Sequence, residues 1–496
     1  MKKFIIYTMV AACGLIAWGC EDFLNEQPQS DFTRPQTEGG VLVSAYETVQ
    51  DAQNELNGAY ASFKTDLYEL SNFLIGDVMS DNCYVGGDGI NEEQFDLMTV
   101  TPTNSVIDLS WSQYYTLAGS ATSVIENIRL MPEDSDPAVA EEKARITAEA
   151  KFIRAWAYFD IVRLWGDAPM TLELIPSITA ENLDKWYPVM YPARTPADEI
   201  YAQILKDLDD AVIADLPRSS TGLFQATQGA AHGLRAKVYA TMGDKASRDY
   251  NKVVTECEAV EAEGYELVQD FDVLWTIEGK HSTESIFELE FSGEAEQHNW
   301  AYWVLLSDVN GEVEVTWRRY CTPTRQLVEK FQENGTDVRY ASSIIWAEVP
   351  YSTYYPASNY PLSYKIRREE QNIILLRLAD ILLLKAEALV ELGRVDEAVD
   401  IVDEIRERAR IDPLPDGMSQ DQARLAVEDE RQLELYMEGQ RWFDLVRNDR
   451  MEAVMSAAKD KDGNPMVADV QPFRRLMPVP QGQIDINERL TQNPEY

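Results

Sequence analysis

The chain has 496 residues, 44 Lys and Arg against 85 Asp and Glu, and a formal net charge of −41 at pH 7. Nucleic acids and anionic lipid headgroups are held by clustered cations, so this balance excludes them as the expected partners. The composition, 45% hydrophobic and 10% aromatic, excludes an acidic disordered tail and indicates a folded chain. The length exceeds the usual size of a domain with one hydrophobic core.

The first 19 residues have the organisation of an export signal. Two lysines precede an apolar run from Phe4 to Trp18, and a glycine comes directly before Cys20. This order is typical of bacterial lipoproteins, in which the signal is removed and the cysteine is acylated. We predict a signal peptide at residues 1–19 and lipid attachment at Cys20, with acylation at Cys13 or a plain secreted protein as alternatives. The acyl chains attached to such a cysteine hold a protein at a membrane without a spanning helix.

Residues 20–40 are polar and rich in turn-forming residues, and we interpret them as a tether between the lipid and a single folded body at 41–496. This body is predicted to be mainly α-helical. Helical spacing of apolar residues is strong at 111–130 and at 140–166, where the second segment ends at Gly166. No segment after the signal approaches the 18 uninterrupted apolar residues of a spanning helix.

Two ten-residue segments share one pattern. "LRAKVYATMG" at 234–243 and "LKAEALVELG" at 384–393 align without gaps, and each is followed by a second helical pattern. Ala236 and Ala386 stand where one helix closely approaches another, and a glycine ends each segment. Such pairs are typical of tetratricopeptide-like helical hairpins. "FIRAWAYFDIVRLWG" is a looser third copy, so we predict a frame of helical pairs with insertions between them.

The largest insertion, at about 265–370, interrupts a helical frame formed by about 41–264 and 371–496. Apolar residues alternate with acidic residues at 287–291, and with acidic residues and threonine at 312–317. This period of two predicts half-buried strands. The rest of the insertion is loop-rich and aromatic.

The sequence carries no motif for catalysis, a metal or a cofactor. HExxH, Cys/His clusters of metal-ligand spacing, G-x-S-x-G and the phosphate loop are all absent. We therefore predict no catalytic residue, no metal site and no cofactor. Four acids could gather a calcium ion but miss the spacing of a calcium loop: Asp77, Asp81, Asp88 and Glu92. Three cysteines are expected to be buried thiols, with one disulfide as the alternative: Cys83, Cys257 and Cys321.

The tryptophans separate into two groups. Five lie on strong helices or in an apolar run and are expected in the core: Trp111, Trp156, Trp165, Trp275 and Trp442. Five others lie in loop-like or strand-edge surroundings near tyrosines: Trp186, Trp300, Trp303, Trp317 and Trp346. A flat aromatic face stacks on the C–H surface of a sugar ring and also suits any binding surface. We expect at least one of this second group to contact a ligand.

The C-terminal third carries more specific motifs. "NIILLRLADILLLKAEALVELG" at 372–393, "ERQLELYMEGQRWFDLVR" at 430–447 and "FRRLMPVPQGQIDINERLTQNPEY" at 473–496 strongly resemble the SusD/RagB family. These are surface lipoproteins of Bacteroidetes-type bacteria that help capture nutrients. "CEDFLNEQP", "WSQYYTLAGSATSVIENI" and "ESIFELEF" fall in the family's order, so the resemblance covers essentially the mature chain. "MPVP" replaces the usual "IPIP"-like string.

The resemblance implies a SusD-like fold, in which tetratricopeptide-type hairpins support a loop-rich lobe with a few short strands. It implies a lid on a SusC-like TonB-dependent transporter of the outer membrane, which binds an oligosaccharide outside the cell and delivers it. Glu21 and Asp22 resemble the surface-export signal of these bacteria, with an ordinary tether as the alternative. Seven charges embedded in apolar helices are interpreted as a salt-bridge lattice: Arg377, Asp380, Glu387, Glu434, Glu438, Arg441 and Asp444.

We therefore expect a non-catalytic, glycan-binding lipoprotein that faces the cell exterior. No family motif carries the ligand-binding residues, which are chosen on composition and position: Trp300, Trp303, Trp317, Trp346, Tyr84, Tyr354 and Tyr355. Three alternatives stay open: peptide ligands in the same role, a surface glycosidase using two acids, and a structural cap for the transporter without a soluble ligand.

Overall fold

A computed structural model describes the chain at residues 36–38, 41–87, 89–176, 178–219, 225–291, 298, 306–309, 312–315, 318–349 and 352–496. The secondary structure is mainly α-helical with short two-stranded antiparallel sheets, which confirms the predicted fold class. The export signal and Cys20 lie outside the described residues. Within the described part, no helix is both long enough and apolar enough to cross a membrane.

Among the described residues, the α-helices before residue 265 are α1 (Val49–Ala61), α2 (Ile90–Asp96), α3 (Ser105–Leu130), α4 (Pro137–Trp165), α5 (Leu183–Met190), α6 (Ala197–Asp207), α7 (Asp210–Asp215), α8 (Gln228–Tyr239) and α9 (Tyr250–Glu261). Those after it are α10 (Arg325–Glu333), α11 (Val338–Ser343), α12 (Leu378–Glu391), α13 (Val395–Ala409), α14 (Gln420–Glu434), α15 (Arg441–Arg447), α16 (Met451–Ala457) and α17 (Gln481–Ile486). The strands are β1 (Gln36–Glu38), β2 (Val41–Val43), β3 (Cys83–Tyr84), β4 (Ser285–Leu289), β5 (Leu306–Val309), β6 (Glu312–Val315), β7 (Thr322–Pro323), β8 (Ile344–Ala347), β9 (Tyr360–Ser363) and β10 (Ile373–Arg377).

Local sequence fixes the ends of the long helices. The Thr48 side chain accepts a hydrogen bond from the Asp51 N–H, and the Asp51 carboxylate accepts one from the Thr48 N–H, so a capping box begins α1. Asp136 caps α4, whose first residue is Pro137. The predicted end of α4 at Gly166 is confirmed, since this glycine has a φ of +68°. Helices α3 and α4 pack against each other and carry much of the core.

The two ten-residue repeats each form the first part of a helical pair. Helix α8 packs against α9, and α12 packs against α13, as the hairpin interpretation predicted. Ala236 and Ala386 are fully buried, which lets the neighbouring helices approach closely. Gly243 and Gly393 both have positive φ and end their segments. Contacts between α9 and α12 join the two pairs into one frame.

Buried charges hold this frame together, as the charges within its apolar helices predicted. Fully buried Arg377 donates to Glu284, Glu434 and Glu438 at 2.6–2.7 Å. The surrounding group, here called the Arg377 cluster, contains Glu284, Arg339, Lys365, Arg377, Arg408, Glu430, Glu434 and Glu438. The other charges of the predicted lattice also have ionic partners: Asp380 with Arg431, Asp444 with Arg431 and Arg447, Glu387 with Arg447, and Arg441 with Asp81.

The strand predicted around Phe287 forms as β4, but its burial differs from the prediction. Strand β4 pairs antiparallel with β10, with Ile373 opposite Leu289. The alternating pattern predicts an exposed Glu288, whereas this side chain is only 6% exposed. The carboxylate is retained inside because its Oε1 accepts a hydrogen bond from the His281 backbone N–H. The strand is therefore covered on both faces.

The tryptophans and cysteines expected in the core are all buried there. Trp111, Trp156, Trp165, Trp275 and Trp442 are each at most 7% exposed. Trp186, which the sequence left among the possible ligand-binding residues, is also buried, on α5. The thiols of Cys83, Cys257 and Cys321 are buried and free.

The C-terminal segment is fastened to the end of α4. Trp165 Nε1 donates to the Pro478 carbonyl at 3.0 Å, across 313 positions of sequence. The Met477 N–H donates to the Leu164 carbonyl at 2.7 Å. The Asn493 side chain donates to the carbonyls of Trp165 and Met477. This segment therefore closes the frame around its longest helix.

Gly76 is a site where a methyl group is expected to disrupt packing. A Cβ at this position would lie 2.3 Å from the Gly439 backbone, so Gly76→Ala is expected to destabilise the protein by about 1–3 kcal/mol. Gly58→Ala is the matched control, because nothing lies within 4 Å of its Cβ and alanine favours a helix interior. Urea unfolding measures both variants, and equal midpoints would contradict the close approach.

Candidate functional site

Four of the seven predicted ligand-binding residues meet in one place. Tyr84 stacks on Tyr354, and Trp346 contacts Tyr355, which also contacts Tyr360. Arg325 contacts both Tyr354 and Tyr355, and these five aromatic residues are here called the aromatic cluster. The other predicted residues lie outside the described residues: Trp300, Trp303 and Trp317. Their part in ligand binding stays a prediction.

The aromatic cluster lies where two small sheets meet. Strand β3 pairs with β7, β8 pairs with β9, and β7 packs against β9. Tyr84 belongs to β3, Trp346 to β8 and Tyr360 to β9. The Tyr355 hydroxyl donates to the Pro323 carbonyl at 2.9 Å and ties the loop after β8 to β7. Residues from distant parts of the sequence are thereby brought together.

The rings of the aromatic cluster have defined orientations. Tyr84 and Tyr354 stack in parallel, with centroids 4.6 Å apart and planes at 4°. Trp346 meets Tyr355 edge to face at 5.8 Å, and Tyr355 meets Tyr360 in the same way. The guanidinium of Arg325 lies 4.6 Å from the Tyr355 ring centroid and donates to the Tyr354 carbonyl. These contacts fix the cluster as a packed unit.

Trp346 is the member of the cluster that solvent reaches most. Its residue surface is 36% exposed, against 1% for Tyr84 and 8% for Tyr355. The indole Nε1 donates to the Tyr340 hydroxyl at 2.9 Å, which limits rotation of the ring. An exposed indole on a buried aromatic base offers a flat apolar face of fixed orientation.

Asp96 lies beneath the aromatic cluster and was not found from the sequence. Its Oδ2 accepts hydrogen bonds from the Val85 N–H at 2.9 Å and from the Tyr354 hydroxyl at 3.3 Å. Burial raises the pKa of this carboxyl to about 7. The protonation state of the buried Asp96 carboxyl therefore affects its hydrogen bond with Tyr354, which stacks on Tyr84. The only signal in the sequence is an acid between two apolar residues, Phe95 and Leu97.

Two of the four acids considered for calcium, Asp77 and Asp81, have hydrogen-bond partners within the protein, and Asp88 lies outside the described residues. Asp77 Oδ1 accepts hydrogen bonds from the Asn82 amide and the Met437 N–H, and its Oδ2 accepts one from the Gly439 N–H. Asp81 accepts both bonds of a bidentate pair with Arg441. Across the described ranges, no group of three or more His, Cys, Asp or Glu side chains is arranged to hold a metal ion.

Comparisons with known proteins identify the relatives of this chain. A model described as "SusD family" matches residues 347–496, and one described as "Starch-binding associating with outer membrane" matches 22–240. "SusD-like protein P2" of Formosa agariphila is 26% identical over 90% of this chain and 91% of its own length. A "SusD-like protein" of Bacteroides ovatus is 25% identical over 88% of this chain and 81% of its own.

Solved structures share the fold. A protein described as "Laminarin binding SusD-like protein" superposes with a TM-score of 0.72 at 22% identity, covering 91% of this chain and 100% of that one. "Surface glycan-binding protein A" of Bacteroides uniformis gives a TM-score of 0.74 at 21% identity, covering 90% of this chain and 99% of that one. The helical frame and the loop-rich lobe are therefore features that these proteins have in common.

Proposed function

The chain belongs to the SusD/RagB family, and from that premise we propose that it captures an oligosaccharide at the cell surface without catalysing its cleavage. It then delivers the glycan to a SusC-like TonB-dependent transporter of the outer membrane. Cys20 carries the lipid anchor, and the folded body faces the cell exterior. Relatives that are named for laminarin binding and surface glycan binding support this proposal.

The observation that carries the proposal is the exposed Trp346 on its buried aromatic base. A sugar ring presents C–H groups on one face, and these pack against an indole while the hydroxyls stay free for polar contacts. Tyr355 and the Tyr340 hydroxyl hold the indole in place, so little side-chain entropy is lost when a ligand binds. The rigid face is therefore suited to stacking on a glycan.

Replacing Trp346 with alanine is expected to weaken glycan binding at least tenfold, about 1.4 kcal/mol, because the stacking face is lost. Laminarin and starch are the first probes, in affinity gels and by calorimetry, and reducing ends are expected to stay constant during the incubation. Tyr187→Ala, which removes an exposed aromatic ring on α5, is the matched control and is expected to bind as the wild type does.

The same measurement on Trp300→Ala, Trp303→Ala and Trp317→Ala tests the remaining predicted tryptophans. Full affinity in all four tryptophan variants would reject the aromatic site while leaving the fold assignment intact. Release of reducing ends by the purified wild type would reject the non-catalytic proposal.

A further inference from the structure

A cavity lies away from the aromatic cluster. It has a volume of about 300 Å³ and lies between the segment leading into α8, the segment after α9, and β4 with the turn that precedes it. Its walls include Gln225, Thr227, Tyr265 and Glu288. None of the five residues of the aromatic cluster lines it, so the two sites are separate.

Three polar atoms of the residues lining this cavity lack hydrogen-bond partners. They are Ser282 Oγ, Ser285 Oγ and Glu288 Oε2, each buried and unpaired among the described residues. An unpaired buried polar group destabilises the folded state, so proteins seldom retain three of them around one space without use. These atoms have almost no accessible surface in this structure, so the side chains must rotate toward the cavity before the hydroxyl groups of a bound molecule can pair with them.

His281 fixes the carboxylate that faces this group. Its backbone N–H and its ring Nδ1 both contact Glu288 Oε1, at 2.6 and 3.0 Å, while Nε2 lies 3.5 Å from Glu290. The residue has a φ of +54°, a conformation that histidine seldom adopts and that the surrounding contacts must maintain. With Oε1 engaged in this way, Glu288 has one carboxylate oxygen left for another donor.

The charges around the cavity nearly balance, which limits the chemistry of the ligand. Glu263 and Glu288 are the lining acids, and Arg218 and His281 are the lining bases. Hydrogen bonds to Glu288 raise the pKa of His281 and favour its charged form. Five hydroxyl side chains in addition to that of Tyr265 line the same space: Ser219, Thr227, Ser282, Thr283 and Ser285. A neutral molecule with several hydroxyls fits this lining better than an acid or an amine.

We propose that the cavity binds one neutral sugar residue, as a second glycan subsite separate from the aromatic cluster. This inference rests on the proposed function and adds to it a polar site at β4. The volume is at the lower end of the range for small-molecule pockets, which suits a single ring. Glu288 and the serine hydroxyls hold the sugar hydroxyls, and Tyr265 forms one wall.

Ligand-observed NMR titration of the full-length mature protein tests the site. The probes are D-glucose, D-galactose, D-mannose and N-acetyl-D-glucosamine, with D-glucosamine as a cationic comparison. At least one neutral sugar is expected to bind, and Glu288→Gln and the Ser282→Ala/Ser285→Ala double variant are each expected to raise its Kd about tenfold. Glu290→Gln, which contacts His281 but does not line the cavity, is expected to leave that Kd unchanged.

The outcomes separate this inference from the proposed function. An unchanged Kd in both cavity variants, or no binding of any neutral sugar by a protein that still retains laminarin or starch, overturns the second subsite alone. Tighter binding of D-glucosamine than of every neutral sugar overturns the neutral-ligand assignment. If the wild type binds neither the polysaccharides nor the sugars, the proposed function and the second subsite both fail.

Discussion

Replacing Arg377 with methionine is expected to destabilise the fold by about 3–5 kcal/mol. Arg377 is fully buried and donates hydrogen bonds to three carboxylates, those of Glu284, Glu434 and Glu438. Methionine fills much of the same space but removes the positive charge. The three buried carboxylates then lose a shared cation and repel one another. The free energy lost in this way far exceeds the free energy that burial of a methionine side chain contributes.

Chemical unfolding of wild type and Arg377→Met, followed by circular dichroism, measures this effect. Arg394→Met is the matched control, because Arg394 forms an exposed pair with Glu397 one helical turn away. The control is expected to unfold at the wild-type midpoint. A loss below about 1 kcal/mol in Arg377→Met would mean that the Arg377 cluster contributes little to stability.

Replacing Asp96 with asparagine is expected to stabilise the protein at pH 8 by about 2–4 kcal/mol and to leave its stability at pH 4 unchanged. Burial raises the pKa of Asp96 to about 7 in the folded protein, from an ordinary value of 3.8. The folded state therefore holds a proton that the unfolded state has lost between these two pH values. Stability from this group is greatest at low pH and falls as the pH rises from about 4 to 7, because a buried carboxylate must then be charged.

Asparagine keeps an oxygen for the Val85 N–H and the Tyr354 hydroxyl and carries no charge. Urea unfolding of both proteins at pH 4, 6 and 8 measures the difference in unfolding free energy. That difference is expected to grow with pH and to level off above pH 7. Asp77, whose pKa burial raises to about 6, is present in both proteins and cancels in the comparison. Glu404→Gln on α13 is the control, and a difference independent of pH would contradict the assignment.

The helical frame could be predicted from the sequence because its signals are local. Periodic apolar residues locate α3 and α4, and the two aligned segments locate the helical pairs of α8 and α12. Charges within apolar helices predicted the ionic lattice, since a buried charge requires a partner. The partners themselves, such as Arg377 with Glu284, required the fold, because they come from different elements.

The sites could be predicted only in part because they depend on long-range contacts. Aromatic residues near loops indicated Tyr84 and Tyr354, which stack although 270 positions separate them in the sequence. Asp96 and Arg325 gave no usable signal, since acids and arginines are common on helices. The alternating pattern of β4 marked one apolar face correctly but could not show that His281 covers the other and encloses Glu288.

The contact between Trp165 and Pro478 also determines when folding can be completed. A chain that is synthesised from its N-terminus presents α4 long before residues 477–493 become available to close over it. Until then Leu164 and Trp165 at the end of α4 lack the hydrogen-bond partners that residues 477–493 supply. The protein is therefore expected to reach its final packing around α4 only after residues 477–493 have been synthesised.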